Sequence, residues 1–165
     1  MLDFSVEIAG IRLEHPLMNG AGTCKLIDGD MGVKTLVRSA TSAIVVGSIT
    51  LEPRPGNSGD VFFVNNGFSL NSMGLPNPGA DYYRKNLPEM VKLAHQARKP
   101  LFVSVAGFTH EEYADLTVLA FDGGADLVEL NLACPNVWQG SSQKRIACFD
   151  SKLVSEILRT VEEKV

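Results

Sequence analysis

Residues 100–136 read PLFVSVAGFTHEEYADLTVLAFDGGADLVELNLACPN, and this stretch indicates the fold class. Two runs rich in β-branched and other apolar residues, 100–107 and 126–132, have the composition of strands that are covered on both faces. The segment between them has the length and capping signals of a helix, which is predicted to begin after the N-cap Thr109 and to run to about Phe121. A strand, a helix and a second buried strand form the unit that builds parallel sheets.

The same strand-then-helix order recurs on both sides of this stretch. We predict four parallel strands, at Leu17–Asn19, Ile44–Val46, Leu101–Val105 and Leu127–Leu130. The further predicted elements are an antiparallel hairpin over 4–14, helices over 28–40 and 87–97 with Pro88 near the start of the latter, and a last helix that begins at Asp150 or Ser151. Four such units imply right-handed crossovers and a parallel sheet, as found in a doubly wound sheet or in part of a (βα)8 barrel.

Small and polar residues follow every predicted strand, and this favours the barrel. They lie at 19–22, 47–48, 106–107 and 131–136, and barrel enzymes build their active sites from the loops at that end. A complete barrel takes about 250 residues. We therefore predict an α/β fold, a (βα)8 TIM barrel of which residues 1–165 supply the N-terminal half of a single domain: the hairpin and about the first four βα units. We expect the chain either to be incomplete or to be completed by a partner.

The segment between the second predicted strand and the following helix is a long loop rich in proline and glycine. It runs from Glu52 to Pro78, roughly 25 residues, and loops of that length in compact domains are usually functional.

Composition excludes several classes of protein. The chain is 45% hydrophobic and 21% charged, and its net charge of −4 without a basic block argues against nucleic acid as a partner. The longest mostly apolar stretch, 43–51, is far shorter than the roughly 20 residues of a membrane span, and the first residues lack a secretory signal. Three widely spaced cysteines fit reduced thiols better than disulfides or a zinc site. We expect a cytoplasmic protein with no membrane partner and no metal.

Two segments carry groups suited to chemistry, 71–77 (NSMGLPN) and 129–136 (ELNLACPN). The amides of Asn131 and Asn136 cannot titrate, so they suit recognition of a planar polar ligand through hydrogen bonds. The thiol of Cys134 is the group in these segments that can move a proton. The alternative is that Cys134 is a small cysteine buried in a turn that asparagines stabilise. For the histidines we predict surface or packing roles: His15, His95 and His110.

Over essentially its whole length the chain resembles the N-terminal half of the dihydroorotate dehydrogenases. Four motifs in matching order carry the resemblance: Asn19–Gly22, Thr50–Asn57, Asn71–Asn77 and Asn131–Asn136. The resemblance implies FMN-dependent oxidation of dihydroorotate to orotate in pyrimidine biosynthesis. It also implies a (βα)8 barrel with FMN at the carboxyl ends of the strands and the hairpin closing the opposite end.

The resemblance also assigns roles to individual residues. It implies that Cys134 is the base that removes the C5 proton while hydride leaves C6 for the flavin. A cysteine at this position marks the soluble class-1 enzymes, whereas the membrane-associated class-2 enzymes use serine. The residues that the resemblance places on substrate are Lys25, Asn71, Met73, Gly74, Leu75, Asn131 and Asn136. Those that it places on FMN are Ala21, Gly22, Lys25, Ser48 and Asn131.

Lys25 stands in an unusual place for a class-1 enzyme. Class-1 members carry a lysine at the end of the second strand, where this chain has Gly47. Class-2 members carry theirs in the first loop, in an Ala-Gly-x-Asp-Lys pattern that the run from Ala21 to Lys25 resembles. We therefore expect Lys25 to place the cation beside flavin and the substrate carboxylate, where negative charge must be stabilised. The alternative is a solvated loop lysine.

The second half of the family's barrel supplies a further lysine and the glycine-rich loops that hold the FMN phosphate. We expect the C-terminal half of the barrel as a partner, and a homo-oligomer when the protein is complete. Two other functions stay open from the sequence: a non-catalytic half-barrel without flavin, and a flavin-barrel reductase acting on another pyrimidine. The electron acceptor, which in class 1 is fumarate or a nicotinamide-linked partner subunit, is not indicated.

Overall fold

A computed structural model describes residues 2–139 and 142–165. The strands are β1 (Val6–Ile8), β2 (Ile11–Leu13), β3 (Ile44–Ile49), β4 (Phe62–Val64), β5 (Ser69–Asn71), β6 (Leu101–Val105), β7 (Leu127–Leu130), β8 (Trp138–Gln139) and β9 (Ser142–Gln143). The helices are α1 (Val33–Leu36), α2 (Ala80–Gln96), α3 (His110–Asp122) and α4 (Ser151–Lys164), with a 3-10 turn at Ala147–Phe149. No helix in this described part is long and apolar enough to cross a membrane.

The central element is a parallel sheet in the order β3-β6-β7. Ile44 pairs with Leu101 across the first strand pair, and Phe102 pairs with Leu127 across the second. All residues of β3 and β6 are buried, which is the covered, near-continuous apolar strand that the sequence predicts. The predicted mixed α/β class with a parallel sheet is therefore confirmed.

The two faces of the sheet are covered by different elements. Helices α2, α3 and α4 bury large side chains such as Tyr83, Leu116 and Ile157 in one cluster with the sheet. On the other face, Leu13 of the β1–β2 hairpin packs with Val45 and other residues near the amino ends of the strands. The predicted hairpin is confirmed, and its packing leaves the carboxyl ends of the strands free to form a site.

The predicted strand at Leu17–Asn19 is wrong. The side chain of Asn19 takes the place of strand backbone there: its Nδ2 donates to the Val45 carbonyl at 2.7 Å, and its Oδ1 accepts from the Val45 amide at 2.9 Å. Parallel backbone pairing begins later, at an isolated bridge between Cys24 and Val46. An amide side chain carries the same donor and acceptor as a peptide group, so the segment joins the sheet without a regular strand.

The predicted helix over 28–40 shrinks to the single turn of α1. Its predicted first turn does not form, because Gly29 has a positive φ of 106°. Helix α2 begins at Ala80, earlier than predicted, so Pro88 lies inside it and not near its first turn. The last two helices match their predictions. Thr109 accepts from the Glu112 amide at the start of α3, and Asp150 caps α4.

The long loop over 52–78 contains the small antiparallel hairpin β4–β5, which the sequence did not predict. All six of its strand residues are exposed, so the alternation of buried and exposed residues that normally reveals a strand is missing.

Removing the Asn19 amide tests its role in the sheet. Asn19→Leu keeps the size of the side chain but leaves the amide and carbonyl of buried Val45 without partners, so we expect the free energy of unfolding to fall by about 2 kcal/mol or more. Urea unfolding measures this. Asn66→Leu is the control, because Asn66 is exposed in the β4–β5 hairpin. Equal unfolding midpoints for the two variants would contradict the role of Asn19.

Candidate functional site

One cavity of about 540 Å³ brings together every residue that the sequence placed at a site. Its volume lies in the range of pockets for small molecules and cofactors. The predicted residues among its lining are Ala21, Gly22, Lys25, Ser48, Asn71, Met73, Gly74, Leu75, Asn131, Cys134 and Asn136. Val61, Phe62 and Pro76 complete the wall. Apolar side chains therefore surround a thiol, a cation and several amides.

Asn131 lies directly after β7, and both ends of its side-chain amide are hydrogen-bonded. Its Nδ2 donates to Ser48 Oγ at 2.8 Å, and its Oδ1 accepts from the Cys134 amide at 3.2 Å. The amide thus joins the end of β3 to the start of the loop that carries the thiol. Cys134 itself is half-buried against the cavity.

The Cys134 loop is held by the chain on both sides of the β4–β5 hairpin. Asn136 Nδ2 donates to the Asn71 carbonyl at 3.0 Å, and Asn57 Nδ2 donates to the Asn136 carbonyl at 2.9 Å. Gly74 has a φ of 76°, and a Cβ there would lie 2.5 Å from Asn57 Oδ1, so a side chain at this position would displace Asn57.

Arg54 ties the same two loops from the other side. Its Nε donates to the Gly74 carbonyl at 3.2 Å and its guanidinium to the Trp138 carbonyl at 3.0 Å. The guanidinium also lies over the Phe108 ring, 5.2 Å from its centroid. Neither Arg54 nor Asn57 was predicted as a site residue, although both fall in the Thr50–Asn57 motif, where a charged side chain between two prolines, Arg54, is a usable signal.

Lys25 points into the cavity from the first loop and is half-buried. Burial lowers the pKa of its ammonium group, and the nearby thiols of Cys134 and Cys24 act in the opposite direction. The buried hydroxyl of Tyr83 donates to the Lys25 carbonyl at 2.7 Å, which fixes the backbone from which the side chain departs. Lys25 is therefore only partly exposed to solvent, and its role toward a ligand stays a prediction.

A second cation, Lys144, lies behind the Cys134 loop and was not predicted. Its Nζ lies 3.2 Å from the Tyr113 hydroxyl and over the rings of Phe108 and Tyr113. Burial lowers the pKa of Lys144, while Cys134 and Glu112 act to raise it. Its sequence neighbours form no motif, so only the folded chain shows that Lys144 and the thiol are close.

The remaining titratable candidates lie outside this cavity. His95 contacts Asp126 at 2.8 Å, and His110 contacts Glu111 and Thr160, as surface histidines do. Cys24 is fully buried, and burial raises the pKa of its thiol to about 12. Within residues 2–139 and 142–165, no three His, Cys, Asp or Glu side chains cluster in a way that would hold a metal ion.

The cavity suits a flat ligand with polar edges. Ala21 and Gly22 present almost no side chain, and a Cβ on Gly22 would meet nothing within 4 Å, so open space lies beside this backbone. Ser48 and the Asn131 amide lie along the same wall, with Lys25 beside them. These features are compatible with the flat ring system of a flavin.

The chain matches the family model described as "Dihydroorotate dehydrogenase" over residues 3–165. It belongs to the dihydroorotate dehydrogenase family. It is 33% identical over 165 residues to a protein of Thermoplasma acidophilum named "Dihydroorotate dehydrogenase B (NAD(+)), catalytic subunit", covering 100% of this chain and 52% of that protein.

Relatives named for a different electron acceptor are similarly close. The chain is 35% identical over 140 residues to the "Dihydroorotate dehydrogenase (fumarate)" of Trypanosoma brucei brucei, which covers 82% of this chain and 43% of that protein. The protein of the same name from Kluyveromyces lactis is 35% identical over 159 residues, which cover 96% of this chain and 48% of that protein. The chain thus spans about half the length of the relatives that it matches.

The lowered pKa of Lys25 makes stability depend on pH. Between that pKa and the ordinary lysine value of about 10.5, the unfolded chain binds more protons than the folded chain, so the free energy of unfolding rises with pH. We expect Lys25→Met to be more resistant to urea than the unaltered protein near neutral pH, and to lose that advantage as the pH approaches about 10.5.

Lys85→Met is the control for this measurement, because Lys85 is exposed on α2. A Lys25→Met variant whose pH profile of unfolding parallels that of the unaltered protein would show that the Lys25 ammonium group is not desolvated.

Proposed function

We infer that this chain forms the N-terminal half of the (βα)8 barrel of an FMN-dependent dihydroorotate dehydrogenase, which oxidises dihydroorotate to orotate in pyrimidine biosynthesis. The observation that carries this proposal is the convergence of the predicted residues on one cavity, with a thiol, a cation and amides facing it. The C-terminal half of the barrel would supply the remaining walls. Homo-oligomerisation and a cytoplasmic location stay predictions.

The substrate carries a carboxylate and a ring edged by amide groups, and the cavity offers partners for both. Asn71 and Asn136 line it with side chains that can both donate and accept hydrogen bonds. Lys25 supplies the positive charge for the carboxylate. Met73, Gly74 and Leu75 form the apolar wall beside the ring. An enclosed carboxylate without a cation would cost several kcal/mol, so Lys25 favours an anionic substrate over an uncharged pyrimidine.

Cys134 is the group that takes the C5 proton in this proposal. It lies on a loop whose start is fixed by Asn131 and whose backbone is tied to the opposite wall through Asn136 and Asn57. Such bracing keeps the thiol at a constant distance from a ring bound between the loops, which is what proton abstraction requires.

Ala21, Gly22, Ser48, Lys25 and Asn131 are the residues that would hold FMN. When bound, FMN supplies the acceptor for the hydride that leaves the substrate. Lys25 would contribute positive charge beside it, and Asn131 and Ser48 would contribute hydrogen-bonding groups along its edge. Flavin absorbance in the protein purified together with the C-terminal half of the barrel tests this part of the proposal, because a non-catalytic half-barrel would stay colourless there.

Removing the thiol tests the role of Cys134. We expect Cys134→Ala to lower the rate of flavin reduction by dihydroorotate by at least about a hundredfold, the usual contribution of a general base, while FMN stays bound. Stopped-flow absorbance under anaerobic conditions measures this step. Cys148→Ala is the matched control, because that cysteine is exposed and outside the cavity. Single-turnover reduction at the unaltered rate in Cys134→Ala would refute its role as the base.

Removing the cation tests the role of Lys25. We expect Lys25→Ala in the flavin-loaded protein to weaken orotate binding by at least about tenfold, roughly 1.4 kcal/mol, because the carboxylate loses its counter-charge. Titration of the flavin absorbance with orotate measures the affinity, and Lys85→Ala is the control. Unchanged affinity together with unchanged flavin reduction would mean that Lys25 does not contact the substrate or the flavin.

A further inference from the structure

Four polar side chains form a continuous line of hydrogen bonds across the three strands of the parallel sheet. Asn131 Nδ2 donates to Ser48 Oγ at 2.8 Å, Ser48 Oγ and Ser104 Oγ are 2.9 Å apart, and Ser104 Oγ donates to Glu129 Oε1 at 2.6 Å. Both serines are almost completely buried, at 1% and 0% exposure. Asn131 lies at the cavity, whereas Glu129 is not part of its lining.

The carboxylate of Glu129 sets the direction of every bond in this line. An ionised carboxylate only accepts, so the single hydroxyl proton of Ser104 goes to Glu129. Ser104 then has no proton left for Ser48, so the Ser48 hydroxyl donates to Ser104. The oxygen of Ser48 is thereby left as an acceptor, which suits the NH₂ group of Asn131 and not its carbonyl.

The orientation of the Asn131 amide matters because its other end faces the Cys134 loop. Its Oδ1 accepts from the amides of Ala133 and Cys134, at 3.4 and 3.2 Å. In the flipped orientation the NH₂ group would face those two amides, donor against donor, and the start of the loop would lose its anchor. Glu129, the acceptor at the other end of the line, therefore fixes the orientation of the Asn131 amide at the site.

We propose that Glu129 is a positioning residue of this site: through Ser104 and Ser48 it holds the Asn131 amide with its carbonyl toward the Cys134 loop and its NH₂ group toward β3. This inference rests on the proposed function, in which Asn131 and the Cys134 loop contact FMN and substrate. What Glu129 contributes is a hydrogen-bond acceptor, and its negative charge is not required.

Two uncharged variants of Glu129 distinguish the effect of its hydrogen-bond acceptor from the effect of its negative charge. Glu129→Gln keeps a carbonyl oxygen that can accept from Ser104, whereas Glu129→Leu removes the acceptor and frees both serine hydroxyls to turn around. In the flavin-loaded protein we expect Glu129→Leu to slow flavin reduction by dihydroorotate roughly tenfold and Glu129→Gln to stay within about twofold of the unaltered rate. Glu156→Leu, an exposed position on α4, is the control.

The side-chain amide signals of Asn131 give a second readout that does not depend on turnover. In ¹H–¹⁵N spectra we expect them to move in Glu129→Leu and to keep their positions in Glu129→Gln. Ser104→Ala breaks the line at a second point, so it should move the same signals and slow flavin reduction similarly. The double variant Ser104→Ala with Glu129→Leu should be no slower than Ser104→Ala alone, because both changes act through one path.

Several results would overturn the proposal. Equal losses in Glu129→Gln and Glu129→Leu would mean that the charge, not the acceptor, is what matters. Unmoved Asn131 signals in both Glu129→Leu and Ser104→Ala would mean that the line does not orient the amide. Failure of the proposed function would give a different result. The unaltered protein would not reduce flavin with dihydroorotate, whereas the Asn131 signals would still move in Glu129→Leu as expected.

Discussion

The close contact between β3 and β6 at Gly47 is the constraint on which the rest of the site depends. Gly47 has a φ of 112°, and a Cβ there would overlap the Ser104 carbonyl oxygen. The pairing of β3 with β6 shifts register at this point. The backbone of Gly47 also binds the first loop. Its carbonyl accepts from the Gly22 amide at 2.6 Å, and its amide donates to the Cys24 carbonyl at 2.9 Å. One position without a side chain therefore joins two strands and the segment that carries Lys25.

This contact gives a physical reason for the unusual position of the lysine. With Gly47 packed on the Ser104 carbonyl, no long side chain can start from that position. The first loop is held to the same strand by the backbone of Gly47, and Lys25 projects from it into the cavity. Buried Tyr83 holds the Lys25 carbonyl from the helical layer. The tight packing that excludes a side chain at position 47 thus also holds the loop that carries Lys25.

Sequence reasoning was most successful where the local signal and the packing agree. The parallel strands, α3 with Thr109 and α4 with Asp150 follow from apolar runs and caps, which act within a few residues. Sequence reasoning failed where the position of a residue depends on another residue that is distant in the sequence. Asn19 joins the sheet through its side chain, which no strand pattern reveals, and Lys144 reaches the neighbourhood of Cys134 only through the fold. Most of the cavity residues were predicted together because three of the motifs carried them, whereas Lys25 and Ser48 lie outside the motifs. Arg54 shows that the remaining motif, Thr50–Asn57, held a signal that was not used.

The charges around the cavity differ in sign from the chain as a whole. The net charge is −4, yet Lys25 and Lys144 both lie near Cys134, and Arg54 braces the same loop. Glu129 accepts a hydrogen bond from Ser104 and lies outside the cavity. Desolvation of Lys25, which lines the cavity, raises the cost of leaving its charge without an anion, so an anionic ligand would gain part of its binding energy from relieving that cost. The positive charge of Lys25 therefore suits an anionic ligand in this cavity better than an uncharged one.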